Sequence, residues 1–190
     1  MSQRRIDPRV VRSREAILDS ALDELSAVGY SAFAMESVAA RAGVGRSTLY
    51  RHWSDRLQLI SDALETLNTQ PAPRERTPGA TARTVVEDLL RHLTEALTSS
   101  RVGECLPALV HAARQDPQVR HFLHGYSARR RRTLVDAIAD GVTRGEFRPG
   151  DPDVSADVLS GAIFYRRLMT GHPLGPSDVP ALVDEVLGLP

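Results

Sequence analysis

Apolar residues recur every three or four positions along nearly the whole chain, and this spacing restricts the fold more than any other feature. Side chains at that spacing share one face of a helix and can be buried together. Alternating apolar and polar runs, which half-buried strands require, are not found. The sequence therefore predicts an all-α fold of about nine helices. They are predicted at residues 9–28, 36–42, 46–53, 55–69, 81–98, 104–114, 117–144, 152–170 and 178–188.

Asp-Pro pairs mark three of the predicted helix starts. An Asp at the N-cap accepts hydrogen bonds from the first backbone N–H groups, and a Pro at the first helical position has no N–H to leave unsatisfied. The pairs are Asp7-Pro8, Asp116-Pro117 and Asp151-Pro152. Ser54 and Ser177 are predicted to cap two further helices, and Gly29 and Gly171 are predicted to end two.

The stretch from residue 70 to residue 79 is rich in Pro and interrupts the helical spacing. It predicts a domain boundary. Residues 1–56 are expected to form an N-terminal domain of three helices. Residues 70–190 are expected to form a larger C-terminal helical domain, and the helix at 55–69 is expected to connect the two.

Composition and missing motifs exclude several classes of protein. The 24 basic residues, all of them Arg, balance 24 acidic residues, so any binding to nucleic acid must depend on local charge. A single cysteine, Cys105, excludes an internal disulfide and indicates a reducing compartment. No stretch approaches the roughly 18 apolar residues of a membrane span. We therefore expect a cytoplasmic protein without membrane association. No catalytic triad, phosphate loop or metal spacing is found, which predicts no enzyme, cofactor or metal site.

Residues 35–53, MESVAARAGVGRSTLYRHW, have the pattern of a helix-turn-helix. This motif needs a small residue where the two helices approach, a turn residue that tolerates positive φ, and buried apolar residues on the second helix. Ala39 meets the first need and Gly43 the second. Leu49 and Trp53, four residues apart, meet the third.

If Leu49 and Trp53 point inward, the opposite face of the second helix is rich in hydrogen-bond donors and contains no acid. Such a face fits the major groove, where Arg reads guanine and hydroxyl groups bind base edges or phosphates. The predicted DNA-binding residues of this helix are Arg46, Ser47, Thr48, Tyr50, Arg51 and His52.

The first fourteen residues contain five Arg and a single acid, Asp7. Arg4 and Arg5 of this arm are predicted to contact backbone phosphates or to enter the minor groove. The alternative is a solvated basic tail without a binding role.

Residues Phe33–Leu59, FAMESVAARAGVGRSTLYRHWSDRLQL, resemble the DNA-binding domain of the TetR family of bacterial transcriptional regulators. The resemblance implies an all-helical homodimer, usually a repressor, whose C-terminal domain binds a small-molecule inducer and dimerises. It implies phosphate contacts for Tyr50 and His52, and a DNA-binding role for Arg56. Ala34 and Gly45 stand where the family commonly has Thr and Ser, so two hydroxyl groups are missing.

The resemblance also places the dimer interface on the last two helices. The expected residues of this face are Val154, Val158, Ala162, Tyr165, Met169, Leu182, Val186 and Leu187. A two-fold dimer sets its recognition helices about 34 Å apart and predicts a palindromic operator of double-stranded DNA.

An inducer pocket is expected among the C-terminal helices. Its candidate lining residues are Leu89, Cys105, Leu109, Phe122, Tyr126 and Phe164. The apolar spacing of the helix at 117–144 turns either Arg129 or Arg130 inward. The four consecutive arginines at 129–132 point in different directions and are expected to form a solvated face. The alternative is that the inward arginine pairs with a buried acid or binds an acidic inducer, because an unpaired buried charge is costly.

Two functions stay open from the sequence alone. The first is a ligand-responsive regulator, most often a repressor, released from its operator by the inducer. The second is a helical sensor or protein-interaction module with weak or ligand-dependent DNA binding, favoured by the balanced charge and the missing hydroxyl groups. The salt dependence of DNA binding separates them.

Overall fold

The computed structural model describes residues 8–67, 81–98 and 101–188. Within these residues the chain forms nine α-helices and no strand, which confirms the all-α prediction. No helix in the described ranges combines the length and apolarity needed to cross a membrane. The helices are α1 (Pro8–Ala32), α2 (Met35–Arg41), α3 (Arg46–His52), α4 (Arg56–Leu67), α5 (Ala82–Thr98), α6 (Arg101–Ala113), α7 (Pro117–Thr143), α8 (Pro152–Tyr165) and α9 (Val179–Leu187).

The described residues divide into two compact units. One consists of residues 8–67 and 104–123, and the other of residues 81–98, 101–103 and 124–188. The unit with the helix-turn-helix thus includes most of α6 and the start of α7, which the sequence assigns to the C-terminal domain. The predicted boundary at 70–79 lies outside the described residues, so the domain limits stay a prediction.

The first unit packs α1 against α2 and α4 around an apolar core. The thiol of Cys105, on α6, is fully buried and donates to the carbonyl of Leu22, on α1, at 3.6 Å. Cys105 therefore belongs to the packing of this unit. The large buried side chains of α1 to α4 include Ile17, Leu22, Leu25, Leu49, Trp53, Leu59 and Ile60.

The second unit packs α5 against α8 and α9. Arg83, on α5, bonds Glu87 on its own helix at 2.8 Å and Asp184 on α9 at 2.6 Å. Arg148, in the loop before α8, donates to the carbonyls of Glu185 and Val186 near the end of α9, at 3.3 and 2.8 Å. Arg148 thus meets the unpaired carbonyls at the C-terminus of α9, and Arg83 pairs with a side chain of the same helix, so the two arginines fix α9 to the unit.

Four helix ends test the predicted capping residues. Asp116 and Asp151 accept bonds from first-turn N–H groups, which confirms both predictions. Ser54 does not cap α4: Asp55 accepts from the N–H of Gln58 at 2.9 Å, and a carboxylate is the stronger acceptor. Ser177 does not cap α9 either. It lies within a 3₁₀ turn, Pro176–Asp178, whose Asp178 carboxylate accepts from the N–H of Gly175 at 2.7 Å.

Two glycine positions differ in how completely they end a helix. Gly171 has a φ of 67° and ends the helical segment that begins with α8, as predicted. The last turn of this segment, Arg166–Thr170, is a π turn, which the sequence did not indicate. Gly29 has a φ of 72°, but α1 resumes beyond it for one turn to Ala32. Val28, the residue before the break, is 46% accessible.

Candidate nucleic-acid interface

The helix-turn-helix has the geometry that its residue pattern predicts. Ala39 is buried where α2 approaches α3, and its carbonyl accepts from the N–H of Val44 at 3.0 Å. Gly43 supplies the left-handed turn with a φ of 67°, which a residue with a Cβ adopts at a cost. Gly45 is extended at the N-cap of α3 and accepts from the N–H of Thr48 at 2.9 Å.

The buried side of α3 rests on Leu49, with Trp53 buried directly after the helix. The predicted donors therefore lie on the solvent side of a seven-residue helix. Five of them are exposed and Thr48 is half-buried; the five are Arg46, Ser47, Tyr50, Arg51 and His52.

An acid lies beside this donor face, although α3 itself contains none. The Tyr50 hydroxyl donates to a carboxylate oxygen of Glu36, in the first turn of α2, at 3.3 Å. The prediction of an acid-free face concerned α3 alone and is correct for that helix. The sequence missed Glu36 because the two residues lie on different helices.

Asp62 of α4 anchors the end of the recognition helix. One of its carboxylate oxygens accepts from the indole Nε1 of Trp53 at 3.1 Å and from the guanidinium of Arg14 at 2.7 Å. The Arg14 guanidinium also lies 5.3 Å from the centroid of the Trp53 ring. The sequence groups Arg14 with the basic arm, but Arg14 binds within the fold. A buried Trp needs an acceptor for its N–H, and this requirement is the one feature of the sequence that predicts an anchor of this kind.

We expect Asp62→Ala to lower the free energy of unfolding of this unit by roughly 2–3 kcal/mol. Most of that loss comes from leaving the buried indole N–H without an acceptor, and less from the exposed pair with Arg14. Urea unfolding followed by Trp53 fluorescence measures it. The control is Glu15→Ala, at an exposed carboxylate of α1, which should change stability by no more than about 0.5 kcal/mol. Equal losses for the two variants would contradict the anchoring role.

Two further polar contacts hold the helices of this unit together. Glu24, buried on α1, accepts from Arg41 at the end of α2 at 3.4 Å. Arg56 donates to the carbonyl of Tyr30 at 3.2 Å and stacks on that ring, 4.2 Å from its centroid. Burial raises the pKa of Tyr30. The guanidinium of Arg56 thus joins α4 to the end of α1, and its DNA contact stays a prediction.

The basic arm is described only in part. Arg4 and Arg5 lie outside the described residues, so their predicted DNA contacts are untested. Arg12, on the first turns of α1, is exposed.

The candidate pocket residues are divided between the two units. Cys105, Leu109 and Phe122 belong to the unit with the helix-turn-helix, and the remaining three belong to the other unit. Cys105, Leu109 and Tyr126 are buried, whereas Leu89, Phe122 and Phe164 are half-buried. One cavity lined by all six stays a prediction.

The four consecutive arginines of α7 have different surroundings. Arg130 is the inward member: it is half-buried, and its guanidinium lies 3.7 Å from the centroid of the buried Tyr126 ring. Arg131 pairs with Asp153 and Asp157 at the start of α8, at 2.6 and 2.7 Å. The bonds from Arg131 lower the pKa of Asp157.

The residues expected at the dimer face lie on α8, its π turn and α9. Val154, Val158, Tyr165 and Met169 are exposed, and Met169 is 74% accessible. Ala162, Leu182 and Val186 are half-buried. Leu187 is the exception, because it is 3% accessible within the core of its own unit, and its assignment to the face is wrong.

Comparison with known proteins assigns the chain to a family. The family model described as "Bacterial regulatory proteins, tetR family" matches residues 17–63, and "Tetracyclin repressor-like, C-terminal domain" matches residues 79–186. The chain belongs to the TetR family. The family consists of transcriptional regulators, which agrees with the prediction of a helix-turn-helix regulator rather than an enzyme.

Relatives of this TetR-family regulator match it over nearly their full length. An uncharacterized HTH-type transcriptional regulator of Bacillus subtilis, YdeS, is 30% identical over 96% of this chain and 92% of the relative. The DNA-binding transcriptional repressor TetR of Mycobacteroides abscessus is 30% identical over 90% of each chain. The crystal structure of AibR in complex with isovaleryl coenzyme A and operator DNA shares the fold, with a TM-score of 0.68 and 20% identity over 93% of this chain and 99% of AibR.

Proposed function

We propose that this TetR-family regulator acts in the cytoplasm as a homodimeric repressor that binds a palindromic operator through α3 and is released by a small-molecule inducer. The observation that carries the proposal is the solvent face of α3, which presents five exposed donor side chains from a helix held by Leu49, Trp53 and Asp62. Rigid placement matters because base edges in the major groove are read by fixed hydrogen-bond geometry.

The donors of α3 divide into two roles by chemistry. Arg46, in the first turn, is suited to bidentate recognition of guanine, since recognition helices contact bases with their N-terminal residues. Tyr50 and His52 carry single donors suited to phosphate oxygens. Arg46 therefore contributes to base preference, and the other two contribute to affinity for any duplex.

We expect Arg46→Ala to relax the base preference at one or two operator positions, at a cost of about 1–3 kcal/mol on the preferred sequence. Tyr50→Phe and His52→Ala should weaken binding to specific and random duplexes alike. The measurement is selection of bound genomic fragments by the purified protein, followed by titration of the best palindrome and of a random duplex.

The same titrations at 50 and 200 mM salt test the function itself. A dimer that makes about 6–10 phosphate contacts should lose roughly 10³- to 10⁵-fold in affinity between these concentrations.

Equal losses on both duplexes for Arg46→Ala would contradict its role in base reading. Failure of the folded protein to enrich any fragment would favour the sensor or interaction module. The second candidate is supported by the two helix starts of the motif, where hydroxyl groups are missing. Ala34 and Gly45 have no side chain that could cap a helix or donate a hydrogen bond to DNA.

The proposed dimer pairs the α8 and α9 faces of two copies. Four apolar side chains of α8 and its π turn are exposed at spacings of four, seven and four positions, which place them on one side of a helix: Val154, Val158, Tyr165 and Met169. Exposed apolar side chains grouped in this way are typical of an interface between proteins. Arg131 holds the start of α8 and Arg148 holds the end of α9, so the face is positioned by its own unit.

A ligand role is supported by AibR, whose structure holds isovaleryl coenzyme A together with operator DNA. In this chain the candidate contacts remain the six residues Leu89, Cys105, Leu109, Phe122, Tyr126 and Phe164. By linkage, a ligand that weakens operator binding must itself be weakened by the operator to the same degree.

A further inference from the structure

The recognition surface contains one group whose charge opposes DNA binding. Glu36, in the first turn of α2, is exposed and accepts the hydrogen bond of the Tyr50 hydroxyl at 3.3 Å. Tyr50 is exposed on the donor face of α3, 46% accessible. The hydroxyl that the proposed function directs at a phosphate is therefore already bonded to a carboxylate in the free protein.

A phenol has a single proton to donate. Tyr50 cannot donate it fully to Glu36 and to a phosphate oxygen at the same time, so a phosphate must displace the carboxylate. The approaching phosphate also meets a like charge. Desolvation and Glu36 raise the pKa of Tyr50, while Arg46 acts in the opposite direction, so the hydroxyl keeps its proton at neutral pH.

We infer that Glu36 limits the affinity of this regulator for DNA by holding the Tyr50 hydroxyl away from the phosphate backbone. This inference rests on the proposed function. Because the contact concerns the backbone, Glu36 lowers the affinity for every duplex and leaves the base preference unchanged.

A limit on affinity has a use in a regulator that must be released. An effector changes the affinity of a second site by about 5- to 150-fold in typical cases. If the dissociation constant for the operator were far below the cellular concentration of the protein, a change of that size would leave the operator occupied. A carboxylate that lowers the operator affinity therefore favours release by a ligand.

Four proteins form the test: the wild type, Glu36→Gln, Tyr50→Phe and the double variant. Affinities for the selected operator and for a random duplex are measured by fluorescence anisotropy at two salt concentrations. Glu36→Gln is isosteric, removes the charge and leaves a neutral amide oxygen, which holds the Tyr50 hydroxyl less strongly than a carboxylate does. We expect it to tighten binding of both duplexes by about two- to five-fold, the range of an exposed charge contact. In the Tyr50→Phe background the gain should be clearly smaller.

The matched control is Glu104→Gln, at an exposed acid in the first turn of α6, which should leave both affinities unchanged. Glu36→Ala removes the acceptor altogether and should tighten binding at least as much as Glu36→Gln. Unchanged or weaker binding in both Glu36 variants would overturn the inference, and so would equal gains in the wild-type and Tyr50→Phe backgrounds. Absence of salt-dependent binding by the wild type would instead refute the proposed function.

Discussion

Val158→Glu should convert the proposed dimer into monomers and weaken operator binding by about 100-fold or more. Val158 is half accessible on α8, near the centre of the proposed apolar face. A carboxylate there would be buried without a partner in the dimer, and an uncompensated buried charge costs several kcal/mol. A dimer also binds two half-sites at once, which raises its operator affinity above that of a monomer. Loss of this bivalent binding alone lowers the affinity by about 10²-fold or more.

The chain offers a closely matched control for this prediction. Val110, on α6, has the same 49% accessibility as Val158 but lies outside the proposed face. Val110→Glu should leave the oligomeric state and operator affinity unchanged. Sedimentation velocity gives the oligomeric state, and anisotropy gives the affinity. A Val158→Glu protein that sediments as the Val110→Glu protein does would show that α8 is not the dimer face.

Gly141→Ala should destabilise the second unit by about 1–3 kcal/mol. Gly141 is buried on α7, and a Cβ at this position would collide with the ring of Phe147, itself 2% accessible, and lie 3.0 Å from the Cβ of Ala82. The Phe147 ring has to move within a packed core, and overpacking of this kind is costly. The close approach of the loop at Phe147 therefore requires glycine at 141.

Gly125→Ala, on the same helix, is the control for this substitution. A Cβ there meets the flexible end of Arg129 at 3.8 Å, an ordinary contact. Alanine in a helix interior is favoured over glycine by about 0.5–1 kcal/mol, so this variant should gain stability. Chemical unfolding is followed by far-UV circular dichroism, because the single tryptophan lies in the other unit. Stabilisation by both substitutions would disprove the close packing at Gly141.

The features that the sequence determined by itself are local ones. The helical spacing predicted nine helices, and Asp116 and Asp151 predicted two of their starts correctly. The helix-turn-helix could be predicted residue by residue, because its turn, its buried positions and its exposed face all depend on neighbours within about two helical turns. For the same reason the amino-acid sequence is enough to predict the donor face of α3.

Errors at the helix ends also have a local origin. Asp55 displaced the predicted cap Ser54, since both residues are acceptable caps and the sequence does not rank two adjacent candidates. The error at Leu187 has a different origin, because packing of α9 within its own unit buries this side chain.

Tertiary structure alone decided which distant residues meet. Arg14 bonds Asp62 across 48 positions and Arg56 reaches Tyr30 across 26, and neither pairing leaves a periodic signal. Glu36 meets Tyr50 because the turn at Gly43 brings the start of α2 beside α3. Helical spacing specifies which face of each helix is buried, whereas the partner across that face depends on how the helices pack. The donors on α3 are therefore specified by the sequence, but the anchor at Asp62 and the acid at Glu36 are specified by the fold.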